Sequence, residues 1–323
     1  MDRSRIILAF ALALSILSVI LGITGIGISS RKSPYNAAES GSLLVTGRSG
    51  VAVLNLSGVI HEGHSSGDSV GADDFIAELK EAEESPQVRA VILSVNSPGG
   101  SVGATKRIYT EVLELRKKKP VISVISEIAA SGGYYIASAS DKIFAFDSSL
   151  IGSIGVISFH GNISELLNRY GIKIHVLKAG KYKDASYPFR EQTDDEKKMM
   201  GEIMDVSYRQ FISDVAEGRK KSVKDVEEWA EGRIFSGSRA KTFQMIDNIG
   251  GMDEAVQELK LMLKTTDDLP LFYRQKTFME KLMNSVPGSE NKMSEYVLFN
   301  SHVFYLYPGG LEILMKTMDH VIK

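Results

Sequence analysis

Three short runs rich in valine and isoleucine, each followed by a stretch of helical spacing, constrain this chain more than any other feature. They occupy residues 51–60 (VAVLNLSGVI), 89–95 (RAVILSV) and 121–126 (VISVIS). Near-continuous apolar runs of this length fit strands buried on both faces, as in parallel sheets. Between them, residues 72–84 place Phe75, Ile76, Leu79 and Ala82 at helical spacing, and residues 102–119 form a second helix that Pro120 stops. Further along, the pattern predicts a helix over 129–139, short strands over 142–146 and 155–158, a helix over 163–170 and a strand over 172–177. A long helix follows to Arg219, with Thr193 as N-cap and Asp194, Asp195 and Glu196 in its first turn. More helices run to about Lys264. Strands alternating with helices predict an α/β fold layered on a largely parallel sheet.

The amino-terminal segment has a different character. Residues 6–28 carry no charge, a run of 23 residues. About 20 apolar residues span a bilayer as a helix, and a secretory signal has a shorter apolar core. The run therefore reads first as an uncleaved anchor, with a cleaved signal (Gly27-Ile28-Ser29 being a weak cleavage candidate) and a buried core helix as the alternatives. Arg3 and Arg5 nearly balance Arg31, Lys32 and Arg48, so charge alone does not orient it. A five-residue amino terminus before one span is the usual signal-anchor layout and places the rest outside the cytoplasm. The expected organisation is a cytoplasmic amino terminus over 1–5, an anchor over 6–28, a Ser/Gly-rich tether over 29–50, a folded domain over 51–264 and a carboxy-terminal extension over 265–323 with no assigned role.

Composition removes several function classes. The formal net charge is −2, which gives no basic field for nucleic acid. There is no cysteine, so disulfides, thiolate metal sites and a cysteine nucleophile are excluded. No metal or other cofactor is expected.

Three segments carry chemistry. Asn96-Ser97-Pro98-Gly99-Gly100 follows the second strand and precedes a helix; paired glycines there expose backbone N–H groups to an approaching atom. Ala129-Ala130-Ser131-Gly132-Gly133 follows the third strand, where a serine can present its hydroxyl and the next amide can help bind an oxyanion. Taken alone, the first of these segments reads more readily as an ordinary tight turn and the second as an N-cap serine with small residues for close packing. The third, Gly180-Lys181-Tyr182-Lys183-Asp184, reads locally as a solvated loop. A serine nucleophile needs a base. None of the six histidines sits in a catalytic pattern; His160 is the least unsuitable.

Together these segments resemble signal peptide peptidase A, the family of bacterial membrane-bound Ser/Lys peptidases related to Clp protease. The resemblance covers roughly residues 51–264. It rests on the order of the three segments and the 52-residue gap from Ser131 to Lys183, joined by Ile151-Gly152-Ser153-Ile154-Gly155-Val156, by Tyr182-Lys183 with Pro188-Phe189, and by Gly232-Arg233-Ile234-Phe235-Ser236-Gly237 through Ile246-Asp247. A single catalytic region matches the short form of the family. Gln244-Met245-Ile246-Asp247 departs from the family's usual Gly-Leu-Val-Asp-like run, far from the chemistry.

The resemblance implies a Clp-protease/crotonase-like fold of repeated ββα units. It implies Ser131 as nucleophile, Lys183 as general base, Ser153 as the residue orienting the lysine, and the Gly100 and Gly132 amides as the oxyanion hole. It further implies apolar peptide substrates such as cleaved signal peptides, and a ring-like homo-oligomer. A stomatin-associated Ser/Lys protease, a crotonase-type acyl-CoA enzyme and a catalytically silent membrane scaffold share the fold and remain as rivals. A free lysine titrates near pH 10.4, and lowering that to about 7–8 disfavours the charged form by about 3–5 kcal/mol. Burial supplies shifts of that size. The expectation is therefore a buried lysine, with Asp184 pointing away from it.

Overall fold

The computed structural model describes residues 49–274 and the backbone of a strand at 304–306. The anchor predicted over 6–28, most of the tether and most of the carboxy-terminal extension lie outside the described residues. Among the described residues, no helix is long and apolar enough to cross a membrane.

The domain opens with β1 (Gly50–His61), β2 (Val70–Gly71) and α1 (Ala72–Glu84), followed by β3 (Val88–Ser101) and α2 (Val102–Arg116). Next come β4 (Val121–Ala130), α3 (Gly132–Ser138), β5 (Lys142–Ala145), β6 (Leu150–Gly152) and α4 (Ser164–Arg169). The long helix α5 (Asp194–Arg219) leads to α6 (Val223–Trp229), β7 (Ile234–Ser236), α7 (Gly237–Thr242), β8 (Asn248–Ile249), α8 (Met252–Met262) and β9 (Leu271–Tyr273); β10 is Phe304–Leu306.

The main sheet runs β2-β1-β3-β4-β5-β8, and all its neighbours are parallel. It is a mixed α/β fold dominated by a parallel sheet, consistent with the Clp-protease-like expectation. Alternate residues of β1 divide the core. Ala52, Leu54 and Leu56 pack with Phe75, Leu79, Ile108, Val112 and other residues of the helical layer. Val51 and Val53 face the opposite side with Ile92, Ile122 and Phe144, under Ala255 and Leu259 of α8. Both faces are covered, which is why the strand sequences lack strict alternation.

Strand β4 changes partner along its length. Ile122–Ile125 pair with β5, whereas Ile128–Ala130 pair with β6. The outer edge of β6 is taken by antiparallel β7. The strand predicted at 155–158 is accordingly absent; β6 lies three residues before it. Residues 172–177 are not a strand either, and Ile172, Ile174 and Val176 are exposed. Their apolar alternation has the right period, but β7 already occupies the ladder edge beside β6. Two boundaries also move: β3 continues through the 96–100 segment beside β1, and residues 129–130 belong to β4 rather than to a helix.

Leu93 is fully buried on β3, between β1 and β4. Leu93→Ala removes that packing and is expected to cost about 2–5 kcal/mol. The midpoint of urea unfolding checks this.

Candidate active site

The carboxyl end of β4 delivers Ser131 to the first turn of α3 with φ 52° and ψ −119°. Positive φ is uncommon for a residue with a β-carbon. Such conformations cost about 1–3 kcal/mol and persist where the surroundings over-determine them. Here the Ser131 N–H donates to the Gly152 carbonyl at 2.7 Å, and the Ser131 carbonyl accepts from the Tyr135 N–H at 2.9 Å. Ser131 is fully buried, and its Oγ makes no hydrogen bond. A hydroxyl is thus fixed at the carboxyl end of a parallel sheet, where α/β folds form their clefts.

The 96–100 segment lies beside it. Ser97 Oγ donates to the Gly58 carbonyl at 2.6 Å and accepts from the Gly99 N–H at 3.1 Å. Gly99 has φ 99°, and a β-carbon on Gly100 would sit 1.9 Å from the Ile60 carbonyl oxygen. A β-carbon on Gly132 would meet Thr105 Oγ1 at 2.7 Å and the Gly100 nitrogen at 3.2 Å. The main chains at Gly100 and Gly132 therefore adjoin beside the serine. Two backbone amides next to a serine hydroxyl are an arrangement that acyl transfer can use to bind a developing oxyanion.

Ser153 directly follows the glycine whose carbonyl holds Ser131. It too has positive φ, 52°, and its N–H donates to the Arg233 carbonyl at 2.7 Å. Ser131, Gly132, Gly100 and Ser153 are gathered in this way by three chain crossings.

Lys183 is not gathered with them. The expectation of a buried lysine is corrected: its side chain is exposed in the single chain, within a turn-rich stretch. The cause is the loop that carries it. Residues 155–192 contribute only the short helix α4, and Phe159, Leu166, Tyr170, Ile172, Leu177 and Tyr187 stand exposed along it. With no strand to hold it against the sheet, the segment leaves Lys183 in solvent.

The loop is nonetheless tied down just beyond Lys183. The Asp184 carboxylate accepts from Lys178 Nζ and from Arg190, at 3.1 Å from Nε and 2.7 Å from Nη2. Arg190 also donates to Glu196 at 2.9 and 2.6 Å. Glu196 completes a capping box with Thr193 at the start of α5. Arg190 first, then Lys178, holds the Asp184 carboxyl well below the usual range. Arg190 and the Thr193 amide bring Glu196 down to about 2.

Two features escaped the sequence reading. Thr105 is a buried hydroxyl with no hydrogen-bond partner, set against Gly132. Its signal was a threonine in the Thr105, Ile108, Tyr109, Val112 stripe of α2. The second is β10, whose residues 304–306 pair antiparallel with Ser101, Gly100 and Gly99. The edge of β3 beside the serine thus accepts an extended chain.

The sequence is similar to those of known proteins. The profile of peptidase family S49 matches residues 114–266, and that of Clp protease matches residues 52–151. "Putative signal peptide peptidase SppA" of Enterococcus faecium is 35% identical over 232 residues, 70% of this chain and 67% of that one. "Protease 4" of Salmonella typhi is 30% identical over 75% of this chain and 40% of its own length. "Serine protease SPPA, chloroplastic" of Arabidopsis thaliana is 29% identical over 79% of this chain and 39% of its own. The chain belongs to peptidase family S49 and is a serine peptidase.

The ion network has a pH signature. Glu196 ionises near pH 2 in the folded chain against an ordinary 4.5, so its stabilising effect is full above about 4.5 and is lost as pH falls toward 2. Arg190→Met is expected to lower the thermal midpoint at pH 6, with the difference from the parent shrinking across that acid range. Differential scanning calorimetry at several pH values reads it.

Proposed function

We propose that this chain is a membrane-anchored endopeptidase working through a Ser131/Lys183 dyad and an acyl-enzyme, with cleaved signal peptides and other apolar peptides as substrates. The observation that carries this reading is Ser131 itself: a strained, buried serine whose Oγ is uncommitted, beside the adjoining main chains of Gly100 and Gly132.

In this mechanism the neutral amine of Lys183 takes the Ser131 hydroxyl proton as Oγ attacks the scissile carbonyl. The Gly100 and Gly132 N–H groups stabilise the oxyanion. Collapse expels the amine half of the peptide, which takes the proton back from Lys183. Water, deprotonated by the same lysine, then attacks the acyl carbonyl; the C–Oγ bond breaks, the acyl half leaves as the acid, and Ser131 Oγ takes its proton back from Lys183. Ser153 accepts a hydrogen bond from the lysine amine and orients it. The substrate lies as an extended strand antiparallel to Gly99–Ser101 and takes the place of β10, which holds this edge in the structure.

Lys183 has to leave solvent to serve as a neutral base. The exposed apolar residues of 155–192 support burial of this loop in an assembly, because monomers rarely leave so many large apolar side chains uncovered in one segment. A ring-like homo-oligomer would provide it. The uncharged run at 6–28 supports the anchor, with the catalytic domain on the extracytoplasmic side.

Ser131→Ala and Lys183→Ala are each expected to lower peptide hydrolysis by at least about a thousandfold, within the range seen when members of a catalytic unit are removed. A serine-reactive phosphonate should label Ser131 in the parent and label neither variant. Near-normal turnover by Lys183→Ala would overturn the dyad, and labelling at another serine would overturn the nucleophile.

A further inference from the structure

A carboxylate sits where the fold least needs one. Asp214 lies on the apolar stripe of α5 with Phe211, Val215 and Gly218, and its side chain is 6% exposed. Its Oδ2 accepts from Lys106 Nζ on α2 and from the Tyr135 hydroxyl on α3. Its Oδ1 accepts from Gln210 Nε2 at 2.7 Å, and its backbone carbonyl accepts from the Tyr109 hydroxyl at 2.7 Å. One residue of α5 thereby gathers three helices.

Stability alone does not account for this choice. Buried ion pairs replaced by well-packed apolar residues are often neutral or stabilising. What a carboxylate adds is direction. Tyr135 stands one helical turn after Ser131, and its N–H donates to the Ser131 carbonyl. Its ring is packed between Tyr109, with centroids 4.9 Å apart, and Phe211, at 4.5 Å. Packing locates the ring; the hydroxyl bond to Asp214 fixes its position along the plane of the ring. Helix α3 has 7 residues, too few to hold its own geometry in isolation. Its orientation comes from its contacts, and with it the strained Ser131 and the Gly132 amide.

We propose that Asp214 is a positioning residue for the nucleophile, acting through the Tyr135 hydroxyl to hold α3, and with it Ser131 and Gly132, in register with Gly100. This rests on Ser131 being the nucleophile. Lys106 balances the charge of Asp214 and leaves the carboxylate an acceptor for Tyr135.

The test uses the full chain. The readouts are the rate of Ser131 labelling by a fluorophosphonate, kcat and KM for a peptide, and the thermal midpoint. A displacement of about 1 Å at a reacting group costs on the order of a hundredfold. Tyr135→Phe, which removes one oxygen, is expected to slow labelling and kcat about tenfold to a hundredfold, leaving KM within about twofold. Asp214→Leu should lose at least as much, and Asp214→Asn, which keeps an acceptor for the tyrosine, should retain more. The double variant Tyr135→Phe/Asp214→Leu should be no worse than Asp214→Leu alone, since both act through one bond. Parent-like labelling in Tyr135→Phe, or fully additive losses in the double variant, overturns the proposal. If Asp214→Leu does not fold, Tyr135→Phe and Asp214→Asn decide it. Labelling that persists in Ser131→Ala would instead refute the nucleophile assignment, so the two failures are distinguishable.

Discussion

The hydrogen bond from the Ser131 amide to the Gly152 carbonyl is the join on which the site depends. It closes the point where β4 leaves the sheet and β6 has replaced β5 as its neighbour. On one side of that bond the chain turns into α3 with Ser131 at positive φ; on the other it turns through Gly152 and Ser153, both also at positive φ. Three unusual backbone conformations meet at one contact. At Ser131 and Ser153 the conformation is unfavourable because each carries a β-carbon, whereas Gly152 adopts it freely; the sheet pairings and α3 packing on either side hold the two serines in place.

A second constraint is steric. The approach of β1, β3 and α3 near the serine leaves no room for a β-carbon at Gly100, and little at Gly132 or Gly133. The close approach that brings the backbone amides together thus comes from the absence of side chains, not from a specialised loop. Two nearby carboxylates are each paired with cations away from this buried corner. Asp184 is engaged by Arg190 and Lys178 at the base of the 155–192 loop, and Asp214 by Lys106 behind α3.

Much of this could be read from the sequence. The Val/Ile runs marked β1, β3 and β4, and paired glycines at the ends of two of them marked the places where backbone would approach backbone. Thr193 with Glu196 announced the start of α5, and the capping box is there. What sequence left hidden is partnership. The alternation in Ile172-Lys173-Ile174-His175-Val176 has a strand's period, yet period specifies faces and not a neighbour, and β7 holds the available edge. The exposure of Lys183 was hidden for the same reason: residue type says what a lysine could do once buried, and only the loop's contacts say whether it is. Asp214 was visible as an acidic residue on an apolar stripe, but its meaning depends on Tyr135 and Lys106, which are 79 and 108 residues away.

The paired glycines carry a further consequence for selectivity. Positions 99 and 100 of β3 offer a bound strand main-chain contacts and nothing else. Main-chain contacts are the same for every residue a peptide can present there, proline excepted. Such an edge has no alphabet of its own. In the proposed binding mode, discrimination between peptides would fall to side chains elsewhere around the serine and to which chains can physically reach it, rather than to recognition along β3.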